Sequence, residues 1–317
     1  MPATPRRSQL RIAHSSTFAV QSAFGTELAN AAIDKVFSLS DDEPKFEIVT
    51  RDDQIKDCTG QYIVDEIVQA RKCRLSFGIE AEASVIAGLL GWFFGVVSAN
   101  DRLMLGPTVF QPPATTFIYG HNDGTQPLKL KDMVAEAITI SGRVNDRIRA
   151  TVSFVGHGNP VATTAYTFPD CATITPIYLK DGAFSVNSVD YLPDTREFEF
   201  SFSNNLLSEE DPFTLASVDI QRLERADERD YSLKWTVFGK PGDALHLAAV
   251  NKTKYPFSFR IGPITNGVTI SAVSAILKQN GGPKHDGEAR RSALDLLLLP
   301  IRIAADANTP VKGVRNV

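Results

Sequence analysis

The sequence predicts a mainly β protein built by internal duplication. Three observations point there. Runs that alternate strictly between apolar and polar residues recur along the chain. Phe is frequent (19), while Gly (21) and Pro (18) punctuate those runs, a composition that leans toward strands and turns. The order strand, helix, excursion, hairpin occurs twice. At 317 residues the chain exceeds the usual length of one domain. With 43% apolar and 22% charged residues, it suits a packed core rather than disorder.

The elements follow from the N-terminus onward. Cys73, Leu75, Phe77 and Ile79 face one way, and Lys72, Arg74, Ser76 and Glu80 the other. Such a strand belongs to an antiparallel sheet that is wet on one side. The stretch Ala83–Ala99 then runs 17 residues without a charge, which only reaches the lower limit of a bilayer span. Gly88, Gly91 and Gly95 dilute it, and its flanks are the acidic Glu80, Glu82 and Asp101 rather than basic anchors. A buried core helix over about Ala81–Phe94 is the reading, with no membrane span. Ile138 and Ile140 turn through Ser141–Asp146 into Ile148, Ala150, Val152 and Phe154. In the second half Phe198, Phe200 and Phe202 alternate with Glu197, Glu199, Ser201 and Ser203. Tyr231, Leu233, Trp235 and Val237 lead into a shorter helix from about Asp243. Tyr255, Phe257, Phe259 and Ile261 form another row, and Val268/Ile270 turn toward Leu294–Leu298. The boundary between halves falls where Gly158, Pro160 and Pro169 cluster, dividing the chain into 1–165 and 166–317.

Chemistry is sparse. Cys58, Cys73 and Cys171 make no disulfide framework and suit a reducing cytoplasm. Met1–Arg7 carries charge with no apolar stretch behind it, so no secretory signal is expected. The five histidines, His14, His121, His157, His246 and His285, lack metal-ligand spacing. There is no nucleophile elbow and no cysteine beside a base. Gly156-His157-Gly158-Asn159-Pro160 lacks the third glycine of a phosphate loop, and Pro160 removes an N–H donor there. The pairs Glu80/Glu82 and Glu197/Glu199 would sit about 6.5–7 Å apart on a strand. That is within catalytic range but is also how any wetted strand face looks. No catalytic residue, metal or cofactor is expected. A net charge of −4 argues against a protein whose task is to grip phosphates.

Four features, taken in order, resemble the tail tube (major tail) proteins of long-tailed bacteriophages, in a duplicated form. Ala23-Phe24-Gly25-Thr26 follows an N-terminal arm. Lys72–Ile79 leads directly into the apolar Ala83–Gly95 helix. Ala137–Ser141, a turn and Ala150–Gly156 form a closing hairpin. Phe184–Ser188 and Phe198–Asn205 look like the hairpin that opens the second half. The resemblance spans roughly residues 15–300; the Gly106–Thr125 insertion and the Gly282–Gly287 loop fit no part of it.

The resemblance implies two tandem β-sandwich or barrel domains, each with one flanking helix, in a structural virion protein of the tail, assembled in the host cytoplasm. It implies three copies per ring with pseudo-sixfold symmetry, rings stacked around a bore, and passage of double-stranded DNA. Other tail proteins (tape measure, terminator, distal tail) would be partners. Glu197, Glu199, Ser201 and Ser203 become candidates for the lumen wall. A mildly acidic wall repels phosphates within the ~8 Å reach of screened charges, so the duplex slides without capture. Arg147 and Arg149 would then need neighbouring carboxylates. Candidates for contacts between rings are Asp41, Asp42, Glu43, Arg51, Asp52 and Asp53, with the arm Pro2–Ser15 and the tail after Ala304. The alternatives are another ring-forming tail component, such as a terminator or baseplate hub, and a carbohydrate-binding or carbohydrate-active β-sandwich.

Overall fold

The structure, a computed structural model, describes residues 10–40, 44–56, 63–97, 101–104, 112–121, 126–163, 166–171, 175–207, 223–225, 230–239, 242–264, 267–280, 284–285, 292–300 and 312–315. From the N-terminus, β1 (Leu10–His14), β2 (Lys35–Val36), β3 (Lys45–Lys56) and β4 (Ile63–Glu80) lead into α1 (Ala83–Phe94). Then come β5 (Gly95–Val97), β6 (Asp101–Met104), β7 (Ala114–His121), β8 (Leu128–Arg143), β9 (Arg149–His157) and β10 (Val161–Ala162). The second stretch holds β11 (Ala183–Val186), β12 (Val189–Asp190), β13 (Thr195–Ser203), a short pair β14 (Leu206–Leu207) and β15 (Glu224–Arg225), and β16 (Asp230–Phe238). After α2 (Ala244–Val250) follow β17 (Lys254–Ile261), β18 (Val268–Gln279), β19 (Lys284–His285), β20 (Ser292–Pro300) and β21 (Lys312–Arg315). The protein is mainly β and its strand pairings are antiparallel.

The pairing pattern repeats. The ladders β1–β2, β1–β7 and β7–β8 return as β11–β12, β11–β17 and β17–β18. The ladders β3–β4, β4–β9 and β8–β9 return as β13–β16, β16–β20 and β18–β20. Even the short β10, beside the start of β8, has its counterpart in β21 beside the start of β18. The two sets join where β8 pairs with β13, from Ala137↔Ser203 to Arg143↔Glu197. One array therefore runs β3–β4–β9–β8–β13–β16–β20–β18.

Period-2 alternation gives this array two unlike faces. On one, Phe198, Phe200 and Phe202 are at most 3% exposed and enter a single apolar core that extends from Ile12 to Leu298. Rings interlock there: Phe198 lies 4.4 Å from Phe259 and Phe184 meets Trp235 edge-on at 4.5 Å, the geometry aromatic quadrupoles favour. The outer strands β1, β7, β11 and β17 cover this side with the helices.

From Val85 to Phe93, α1 is apolar all round because it is buried all round. Phe18 lays its ring on Gly88, where any Cβ would collide with it. Trp92 Nε1 donates to the Phe18 carbonyl at 2.9 Å. Among the described residues no helix is long and apolar enough to cross a membrane. The Ala23–Thr26 segment is held from β8: Gly25, at φ +89°, donates its N–H to Asp132 Oδ1 at 2.6 Å. Burial raises the pKa of that carboxyl.

Three local expectations are corrected. Phe184–Val186 pairs with β17, not with Phe198–Ser203. A tight turn with positive φ at both Asn187 and Ser188 sends the chain back as β12, and a 3-10 turn at Leu192–Asp194 separates the two segments. Of the expected arm Pro2–Ser15, Leu10–His14 is already β1, paired with β7, and residues 2–9 lie outside the described residues. In the tail after Ala304, Lys312–Arg315 pairs within the chain, with β18 and β6.

His14, at the end of β1, is fully buried, with its ring stacked 3.9 Å from Phe37. Nδ1 donates to the Ser15 carbonyl at 2.8 Å, and Nε2 has no partner among the described residues. Burial, opposed by the Ser15 hydrogen bond and modulated by Lys35 and Asp34, lowers its pKa from 6.5 to about 4. Between those values the unfolded chain binds a proton that the folded chain refuses. Stability therefore falls as pH drops from about 6.5 to about 4, by roughly 3 kcal/mol from this group. Chemical denaturation across that range is expected to show the loss in the parent, with His14→Phe removing this component of the slope.

Candidate functional site

The wet face of the array is organised in rows set by strand register. One row runs Glu80, Arg149, Ser141, Glu199, Lys234, Leu297, Lys278. The next runs Arg143, Glu197, Thr236, Asp295. Acids and bases meet along them. Arg143 Nε lies 2.9 Å from Glu197 Oε2, Lys234 Nζ 2.6 Å from Glu199 Oε1, and Arg149 Nε 3.6 Å from Glu80 Oε1. The Thr236 hydroxyl stands 3.3 Å from Glu197 Oε1 and 2.8 Å from Asp295 Oδ1. Exposed pairs of this kind contribute at most about 1 kcal/mol each to stability. Their larger consequence is a neutral, hydrogen-bonding surface. An open groove of about 520 Å³ follows these two rows.

This places the residues singled out from the sequence. Glu197, Glu199, Ser201 and Ser203 lie together on the wet face, half-buried, with the three Phe side chains on the opposite face. Each carboxylate of the Glu197/Glu199 pair already faces a cross-strand base. Glu82 accepts from Ser84 Oγ at 3.1 Å. Arg149 is met by Glu80, whereas Arg147 sits in the turn beyond β8, its N–H donating to Asp146 Oδ1 at 2.8 Å. The glycines of Gly156-His157-Gly158 serve close approach. A Cβ at Gly158 would collide with the Arg71 backbone, and one at Gly156 with Met133 Sδ. The described residues hold no cluster of His, Cys, Asp and Glu fit for a metal ion.

Of the other candidates, Asp41, Asp42 and Glu43 lie outside the described residues. Arg51, Asp52 and Asp53 fall on β3 opposite Ala70, Val68 and Ile67. There the β3–β4 hairpin has run past its neighbour, because β9 pairs with β4 only from Lys72 onward.

The seam between β8 and β13 was missed in the sequence. Gly142 faces Phe198 across it, and a Cβ at Gly142 would come 2.7 Å from the Phe198 ring. Asn204, fully buried at the end of β13, donates Nδ2 to the Ala135 carbonyl at 2.7 Å, while its N–H reaches the Glu136 carbonyl at 2.8 Å. Those carbonyls are turned outward by the bulge between Ala135 and Ala137, and Asn204 satisfies them. The signal was the Asn-Asn pair that closes the Phe-rich strand.

The array has two open ends. β3 pairs with β4 on one side, and no described strand pairs with it on the other. At the far end β17 leaves β18 at Leu277, whose N–H donates to the Thr253 carbonyl at 3.0 Å. Beyond that point no described strand pairs with the outer side of Gln279 or β19. Ile48, on the core-facing side of β3, is 46% exposed, where the corresponding Phe residues of β13 are covered.

A mainly β protein with open sheet edges and a charge-balanced wet face is what the described residues form. Residues 9–294, nearly the whole chain, match the phage tail tube protein family, and the protein belongs to that family. It is a structural tail tube protein of a bacteriophage virion. No curated protein matches the chain.

Asn204→Ala leaves the Ala135 carbonyl at the seam short of its side-chain donor in a dry site, while the backbone N–H at 204 still serves Glu136. A loss of about 1–3 kcal/mol is expected, read as a lower denaturant midpoint; an unchanged midpoint would deny Asn204 this role.

Proposed function

We propose that the chain consists of two tandem tail-tube units, 1–165 and 166–317, and that three copies close into a ring of pseudo-sixfold symmetry. The observation that carries this is the β8–β13 seam. Within one chain, the last strand of the first array pairs with the first strand of the second. The edge offered by Gln279 and β19 stands where β8 receives β13, and β3 stands where β13 enters. Pairing β3 of one copy with that edge of the next repeats the seam and satisfies backbone groups that would otherwise invite aggregation. It also covers Ile48.

Closure leaves only the wet face to line a bore, because the other face is already packed. Glu197, Glu199, Ser201 and Ser203 then belong to the lumen wall. A wall of paired charges neither grips nor strongly repels a duplex, which suits DNA passage during ejection. The projecting part of the β3–β4 hairpin, with Arg51, Asp52 and Asp53, reaches toward the next ring of the stack. Asp41, Asp42 and Glu43 precede that hairpin in the chain. The partners are further copies of this chain and other tail proteins, and the assembly forms in the host cytoplasm. The protein is not an enzyme on this reading: Glu80, Glu197 and Glu199 face bases and Glu82 accepts from Ser84.

Ile48→Glu places a charge that is harmless on a free edge and buried in the ring. The variant is expected to fold with the parental circular dichroism and to form no tubes in negative-stain micrographs. Tubes as abundant as the parent's would count against edge-to-edge closure. Glu197→Lys combined with Glu199→Lys turns the wall cationic without touching the edges. Its tubes should retain DNA at about 50 mM salt and release it by about 200 mM. Indifference to DNA at both would remove these residues from the wall.

A further inference from the structure

The two helices are not covered alike. α1 is buried from Val85 to Phe93, with Val85, Ile86, Leu89, Leu90, Trp92 and Phe93 at most 7% exposed. Part of the cover is Phe18, but part comes from the second repeat: α1 lies against β18 and against β21. α2 buries Ala248 and Ala249 and leaves Leu247 and Val250 51% and 52% exposed. These two stand at i and i+3, neighbours on the helix surface. Single exposed aliphatics are ordinary, but these two stand side by side on a helix whose intervening residues, Ala248 and Ala249, are buried.

The duplication says what belongs there. β21 holds beside β18 the place that β10 holds beside β8. Since α1 of the first repeat rests against β21 of the second, the equivalent seat for α2 is β10 of whichever first repeat follows it. The chain itself has none left to offer; the next copy in a ring does. β10 carries Val161, 51% exposed, and Ala162, also exposed.

We propose that α2 docks through Leu247 and Val250 onto β10 of the adjacent copy of this chain, at Val161. The contact is an outer clamp on the same junction that β3 and β19 close on the lumen side, and it rests on the ring reading above. The inner contact is backbone pairing; the outer one is apolar burial and is independent of strand register. The helix in question has seven residues and no side-chain cap on its first turn. Its exposed face gains order as well as cover when a neighbour arrives.

The test is a pair of cysteines, Val250→Cys with Val161→Cys, in a Cys171→Ser background that removes the described exposed thiol. Assembled tubes are treated with a short bis-maleimide and run on a denaturing gel. Covalent dimers and trimers should form, with no larger species, and only when both new cysteines are present. In parallel, Leu247→Asp with Val250→Asp, two changes at exposed positions, should leave circular dichroism and melting unchanged. It should raise the critical concentration for tube assembly about tenfold or more, the equivalent of two lost aliphatic contacts. Tubes that form normally yet show no paired cross-link and an unchanged critical concentration overturn the clamp and leave the ring standing. A ladder running past the trimer places the contact between rings and overturns it too. A parent protein that never forms rings removes both proposals.

Discussion

Strand edges govern this molecule. A backbone N–H or C=O that finds no partner away from water costs more than most side-chain contacts return. A sheet of eight neighbouring strands can satisfy all such groups except those at its two ends. Inside the chain one potential pair of ends has been resolved already, where β8 meets β13 over seven register pairs from Ala137 to Arg143. Gly142 makes room for Phe198 there, and Asn204 satisfies the carbonyls that the β8 bulge leaves over. The remaining ends, β3 and the stretch through β19, are in the same relation to each other as β8 and β13 were. In the proposed ring, assembly of copies extends a solution the fold has found once.

The two faces of the array divide the labour. Aromatic side chains on the inner side of β13 and β17 lock the outer layer in place, so the array cannot shear without opening a dry core. The other side carries rows in which carboxylates meet bases across strands, as at Arg143–Glu197 and Lys234–Glu199. Such pairs contribute little stability. They set the potential of a surface instead, and a balanced potential is what separates a channel wall from a nucleic-acid clamp.

Much of this was legible in the sequence, for identifiable reasons. The strands around Leu75, Phe154, Phe200 and Trp235 declared themselves because one side of each is wet and the other dry, which writes period-2 alternation directly. α1 was legible as a core helix from its all-apolar run. The seam was not, because pairing partners 60 residues apart leave no local trace, and Gly142 reads as an ordinary turn glycine until Phe198 is placed over it. Nor does alternation place β11 beside β17, since it identifies a strand without naming its partner. The cross-strand ion pairs were equally hidden. Glu199 and Lys234 look like unrelated surface charges until register sets them 2.6 Å apart. The family match over residues 9–294 agrees with the order of elements and is silent about which residues meet.

Helical reconstruction of assembled tubes by electron cryomicroscopy addresses the central claim most directly. The account predicts three chains per ring, an uninterrupted inner β-cylinder, and density for β3 of each chain alongside Gln279 and β19 of its neighbour. Six chains per ring, or an inner wall broken between chains with β3 facing solvent, would contradict it.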